Sequence, residues 1–173
     1  MFYFSLTHLS ISFEFHAVTV TCPLKLNIVF IYRPPGTLRE FLNELDTLIS
    51  SFPNDGSPLF VLGDFNLLTS TFDSFLSNSF FPLLASFDLT LSQFPPTHKA
   101  GNTLDLIFTR GCLSTNLTAT PLQVSDHYFV SFSVSLSSNP SHSAPSQMVM
   151  RCHNLRSLSS SMLSSLPSAK SFS

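Results

Sequence analysis

Apolar and polar positions alternate with different periods along the chain, and each change of period marks an element. Residues 12–20, SFEFHAVTV, alternate in part and are rich in β-branched and aromatic side chains, which predicts a strand. Residues 25–32, KLNIVFIY, form a denser apolar run of the kind a strand buried on both faces requires. Pro23 between them predicts a hairpin-like turn, and RPPG at 33–36 ends the second strand, because Pro34 and Pro35 cannot continue a ladder and Gly36 frees the backbone. From 37 to 52 the period changes. Leu38, Phe41, Leu42, Leu45, Leu48, Ile49 and Phe52 fall on one helical face, and Thr37 with Glu40 three residues on has the spacing of a capping box. PNDGSP at 53–58 stops this helix, and LFVLGDFN at 59–66 follows as a buried central strand.

Helix, turn and apolar strand in succession predict a layered α/β unit. Residues 70–87 predict a second, poorer helix with Phe72, Phe75, Leu76 and Phe80 as apolar positions and Pro82 as an interruption. Residues 89–98 read as a short strand and a proline loop, and 102–110 as another strand ended by Gly111. In 125–136, Tyr128, Val130, Phe132, Val134 and Leu136 share one face and mostly serines the other, which predicts a half-buried strand at the outside of a sheet. From Ser137 the chain is Ser-rich, with Pro140, Pro145 and Pro167, and reads as a linker or disordered tail. The expected organisation is one domain over 1–136 and a tail over 137–173.

Composition sharpens this picture. Of the 173 residues 43% are hydrophobic and 19 are Phe, while only 10% are charged, against roughly 25% in an average globular chain. Mean hydropathy is +0.28, yet no apolar run approaches the roughly 20 residues of a membrane span. The expectation is a core-rich domain with little charged surface, or a piece of a larger domain that lacks a covering layer. A net charge of −2 supplies no global basic field for nucleic acid, although a divalent metal could supply positive charge locally. Cys22, Cys112 and Cys152 are odd in number and widely spaced, so they suggest neither a disulfide framework nor zinc. The opening MFYFSLTHLSISF lacks the basic region and cleavage site of a signal peptide, and an intracellular protein, nuclear or cytoplasmic, is expected.

Candidate chemistry gathers at strand ends. Asp64 and Asn66 close one strand, Asp105 interrupts the apolar TLDLIF, and Asp126 and His127 open the last strand. An acid inside an apolar strand is costly unless paired or bound to metal. Three acids, an amide and an imidazole at one edge would suit a hard divalent cation and a phosphate. Singly, each has a plainer reading. GDFN is about as often a strand-ending turn, Asp105 could be a core acid bonded to backbone, SDH could be a cap, and Tyr32 a strand aromatic. The ordered set is what shifts the balance.

That set, YRPPG at 32–36, GDFN at 63–66, NTLDLIFT at 102–109 and SDHY at 125–128, resembles the endonuclease/exonuclease/phosphatase superfamily, which has the DNase I-like fold. Within it the closest likeness is to the endonuclease domain of non-LTR, LINE-type retrotransposons. The resemblance covers about residues 10–136, and RCHNLRSLS at 151–159 is similar to the connector that leads toward reverse transcriptase in such elements. It implies a two-sheet β-sandwich flanked by helices, magnesium as cofactor and DNA as substrate. It also implies roles. Asp64 would activate or orient water, Asn66 would hold the scissile phosphate, and His127, oriented by Asp105, would contact the phosphate. Asp126 would lie on the metal side, and Tyr32 would bond a phosphate oxygen.

The chain also departs from the family pattern. The family's first strands carry an Asn and then a Glu that is the principal magnesium ligand, and neither is found here. Glu14 is the sole acid before Glu40 and resembles a later, non-ligating position. The expectation is therefore an N-terminally truncated, catalytically impaired copy of a DNA endonuclease. A phosphomonoesterase or phospholipid hydrolase of the same superfamily and a non-enzymatic interaction fragment stand as alternatives.

Overall fold

The computed structural model describes residues 3–9, 12–21, 25–67, 76–93, 95–136 and 147–151. Among these residues, nine strands and two short helical segments join a longer helix in the order β1 (Tyr3–Leu9), β2 (Glu14–Val20), β3 (Leu26–Tyr32), α1 (Leu38–Ser50), β4 (Leu59–Asp64), a π-helical turn (Leu76–Phe80) running into α2 (Phe81–Ser86), β5 (Thr90–Leu91), β6 (Asp105–Arg110), β7 (Cys112–Thr120), β8 (Phe129–Leu136) and β9 (Gln147–Arg151). One sheet has the strand order β1-β2-β3-β4-β6-β5, and a second has β7-β8-β9. The two sheets make the expected α/β sandwich with helices on one outer face.

Each run forms its element for a local reason. The alternating β2 and the dense β3 pair antiparallel, Glu14 opposite Tyr32 and Val20 opposite Leu26. The turn at Pro23 lies outside the described residues. After RPPG, the amphipathic α1 buries Phe41, Leu45, Leu48 and Ile49, with Leu38, Leu42 and Phe52 packed at their margin. Its length lets the chain return so that β4 lies parallel to β3, the crossover that a parallel pair demands. Thr37 is the N-cap, but its hydroxyl makes no bond to the helix amides. It holds the Glu40 carboxylate instead and lowers its pKa, so the N-cap hydroxyl bond of the expected capping box is replaced by a side-chain pair. Of the second expected helix, the part at 68–75 lies outside the described residues, and the rest is the π-turn and α2.

Alternation sorts the side chains into two cores. On one face of the larger sheet Val29, Ile31, Leu59, Val61, Leu106 and Phe108 meet α1 and α2. Aromatic rings fill that layer: Phe65 lies 6.2 Å from Phe41, 5.7 Å from Phe80 and 5.8 Å from Phe108, each near edge-to-face, the arrangement ring quadrupoles favour. On the other face Leu26, Ile28, Phe60, Leu62 and Ile107 meet Val130, Phe132, Val134 and Leu136 of β8. Phe60 stacks on Phe132 at 6.1 Å across the sandwich.

Three differences from the sequence-based expectation concern the smaller sheet. β7 was unforeseen, because CLSTNLTAT is polar at most positions and largely exposed. β8 is the middle strand of its sheet and not an outer one, since β7 pairs on one side and β9 on the other. β9 itself falls inside the stretch read as a Ser/Pro-rich linker. No helix among the described residues is long and apolar enough to cross a membrane.

Candidate active site

The inner face of the larger sheet changes character at one end. Period-2 alternation carries Phe60, Leu62 and Asp64 of β4 onto the same face, along with Ile28, Phe30 and Tyr32 of β3 and Ile107 and Asp105 of β6. Pairing then aligns the terminal members in one row. Glu14 is opposite Tyr32, Tyr32 opposite Asp64, and Asp64 opposite Asp105. The apolar interface of the sandwich therefore ends in a polar rim, and the acids stand there because the strands stop there.

The turn after β4 is built by the sequence GDFN. Gly63 has φ +143°, and a Cβ placed on it would lie 1.9 Å from the Ile31 carbonyl oxygen. Only a glycine permits this approach of β4 to β3. Asp64 is 6% exposed. Its Oδ1 accepts the Asn66 backbone N–H at 3.0 Å, an Asx-type closure of the turn. Asn66 sits in the left-handed region at φ +49°. Its Nδ2 donates to the Arg33 carbonyl at 2.8 Å and to Asp64 Oδ2 at 3.3 Å.

His127 arrives on the segment that leads into β8 of the other sheet. The loop before β6 reaches across to it. His98 forms a β-bridge with His127, Tyr128 N–H donates to the Thr97 carbonyl at 2.7 Å, and Lys99 N–H donates to the Asp126 carbonyl at 2.9 Å. Thr97 is fully buried, and its hydroxyl accepts the N–H groups of both Leu104 and Asp105 at 3.1 Å. The same short loop thus fixes the start of β6 and the approach of the His127 segment. The outcome is a chain of groups. His127 Nδ1 is 3.0 Å from Asp105 Oδ2, and its Nε2 is 3.8 Å from Asp64 Oδ2.

Charge and burial act together on these side chains. Burial, and secondarily the neighbouring Asp105, push the Asp64 carboxyl up to about 6, against the opposing pull of His127 and of the Asn66 N–H. The hydrogen bond to Asp105 raises the His127 imidazole, outweighing desolvation, with further help from the charges of Asp105, Asp64 and Asp126. Asp64, Asp105 and His127 present ligand atoms within 4.8 Å of one another, as do His98, Asp126 and His127. The first set fits a hard cation. Two carboxylates crowd together there, and burial with the neighbouring Asp105 delays the loss of the Asp64 proton to about pH 6, so a cation between them would favour both ionised forms. The second fits poorly. His98 Nδ1 accepts the Ala100 N–H at 3.0 Å, so Nε2 carries the ring proton and donates it to Asp126 Oδ2 at 3.2 Å.

The structure brings Asp64, Asn66, Asp105 and His127 together, with Tyr32 next to Asp64 in the row. Asp126 is placed apart from Asp64 and Asp105. Its carboxylate is 71% exposed and turned to His98, which lowers its pKa. Sequence reasoning missed three residues. Arg33, Thr97 and His98 lie in RPPG and PPTH, stretches that proline marks as loops and whose polar members carry no periodic signal.

A family profile described as endonuclease-reverse transcriptase matches residues 26–131, over half of the chain and all of the site. The chain belongs to that family. That family is of the retrotransposon-type endonuclease kind within the endonuclease/exonuclease/phosphatase superfamily. The structure is similar to an endonuclease/exonuclease/phosphatase from Beutenbergia cavernae, with a TM-score of 0.52 at 17% identity, over 74% of this chain. At that identity the likeness shows the fold, a DNase I-like sandwich. The chain spans 47% of that relative's length. No curated protein sequence matches it.

Proposed function

We propose that this site hydrolyses phosphodiester bonds of DNA with a divalent metal, and that this chain by itself does so poorly. The observation that carries the reading is the chain of groups Asp105, His127 and Asp64, with Asn66 beside it at the rim of the sandwich. With its proton leaving near pH 6, Asp64 is a carboxylate at neutral pH, poised to orient a water and take its proton. Asp105 anchors Nδ1 of His127, so Nε2 is the nitrogen left to meet a phosphate oxygen, and the raised pKa favours the protonated ring that can donate there. Asn66 and Tyr32 would hold further phosphate oxygens. Asn66 can do so through the hydrogen it shares in the longer, 3.3 Å contact with Asp64.

Asp64 and Asp105 would hold magnesium, with Asp126 at the margin of the site. A bound cation supplies Lewis-acid polarisation and charge neutralisation at the phosphate. The impairment rests on the donor count: among the described residues, no glutamate joins either metal-capable group. The family's description pairs endonuclease with reverse transcriptase, so a reverse transcriptase domain is the proposed partner, and DNA in the cell the proposed setting.

The test is nicking of supercoiled plasmid with and without magnesium. Slow, magnesium-dependent nicking that disappears in Asp64→Ala and His127→Ala is the expected result. Rapid nicking would overturn the impairment. Absence of nicking by folded protein, alongside cleavage of an inositol phosphate or sphingomyelin, would move the substrate away from DNA.

A further inference from the structure

Arg33 belongs to none of the roles above, yet it is 3% exposed and wired into the turn that carries two of the site residues. Its Nη1 donates to the carbonyls of Phe65 at 3.2 Å and Asn66 at 3.4 Å, and its Nη2 donates to the Gly36 carbonyl at 2.7 Å. The backbone of the same residue closes the circuit. Arg33 N–H donates to the Asp64 carbonyl at 2.8 Å, and the Arg33 carbonyl accepts from Asn66 Nδ2 at 2.8 Å. The guanidinium lies over the Phe41 ring at 5.2 Å.

We infer that Arg33 is the positioning residue of the Asp64–Asn66 turn, its Nη1 holding the Phe65 and Asn66 carbonyls and its Nη2 the Gly36 carbonyl, so that Asn66 stays left-handed with its backbone N–H on Asp64 and its side-chain amide between the Arg33 carbonyl and Asp64. Energetics favour a directional role over a packing one. A buried cation is costly, and Arg33 Nε has no hydrogen-bond partner. An unbranched apolar chain would cover Phe41 at lower cost, so what the guanidinium adds is geometry. The left-handed Asn66 needs such an anchor, since a non-glycine residue at positive φ persists only where its surroundings over-determine it. The remainder of the motif follows. Pro34 and Pro35 stiffen a loop that folds back to place the Gly36 carbonyl on Nη2, so RPPG sets the direction of the fork.

The inference rests on the reading of Asp64 and Asn66 as acting groups, but its test reads turn geometry and not hydrolysis, so the two can fail separately. Amide exchange and side-chain NMR would be recorded on the full chain and on Arg33→Met and Arg33→Lys. Met keeps the contact with Phe41 and removes every donor, while Lys keeps the charge and loses the fork. In both variants exchange of the Asn66 N–H is expected to accelerate roughly tenfold or more, the factor that goes with one hydrogen bond to a charged group. Amides of β3 and β6 away from the turn should be unchanged. Protected Asn66 N–H and unshifted Asn66 side-chain signals in Arg33→Met would overturn the proposal. If that variant does not fold, the same signals unchanged in Arg33→Lys would overturn it.

Discussion

His127 Nδ1 lies 3.0 Å from Asp105 Oδ2, although Asp105 opens β6 of the larger sheet and His127 lies in the segment that leads into β8 of the smaller one. The carboxylate fixes which ring nitrogen bears hydrogen and turns the other toward Asp64. Neither residue has this meaning alone.

Asp105→Asn tests that pairing. Loss of the carboxylate should bring the raised His127 pKa down toward the ordinary 6.5. A proton NMR titration of the His127 ring reads it, and an unmoved midpoint would show that Asp105 is not the cause.

Asp64 makes stability depend on pH. A carboxyl whose pKa rises from 3.8 in the open chain to about 6 when folded stabilises the fold below the lower value and loses that contribution as pH climbs through the higher one. Between pH 4 and 7 the loss should be on the order of 2 to 3 kcal/mol. His127, also raised, continues the decline above its ordinary value. Urea unfolding across this range should show the fall in the native chain and a much flatter profile in Asp64→Asn.

Magnesium should reverse part of this penalty. A cation held by Asp64 and Asp105 favours both ionised forms, so the melting temperature should rise more at pH 7 than at pH 5, by roughly 3 °C for each kcal/mol gained. Thermal melts with and without magnesium measure it, and Asp64→Asn should remove the difference.

Gly63→Ala should cost at least about 3 kcal/mol, because the added methyl group would collide with the Ile31 carbonyl 1.9 Å away. Denaturant midpoints compare the two chains. Tolerance of the methyl without loss would mean that β3 and β4 can separate there.

Much of the larger sheet was legible because its strands are dense apolar runs between proline and glycine breaks, as β3 and β4 show. The site was legible for a related reason. Asp64 and Asp105 interrupt such runs, and a charge in that place demands a partner. What escaped has equally physical grounds. β7 lies exposed, so selection for burial leaves no alternation in CLSTNLTAT. β8 was set at an edge because its partner β9, with only the short apolar run Met148, Val149 and Met150, is embedded in a serine-rich stretch. Arg33 acts through the carbonyls of Gly36, Phe65 and Asn66, and His98 through the Ala100 N–H and the Asp126 carboxylate, contacts that exist only once the chain has folded. The commitment of the Asn66 amide depends on a left-handed turn, which four letters do not announce.

The loop at Thr97–Lys99 holds the His127 segment through bonds between main-chain groups. Such an attachment is blind to side-chain identity. Mutational drift at positions 98, 99 or 128 can rewrite the local chemistry while the imidazole stays where it is delivered, which lets a lineage vary the lip of the cleft without dismantling its interior.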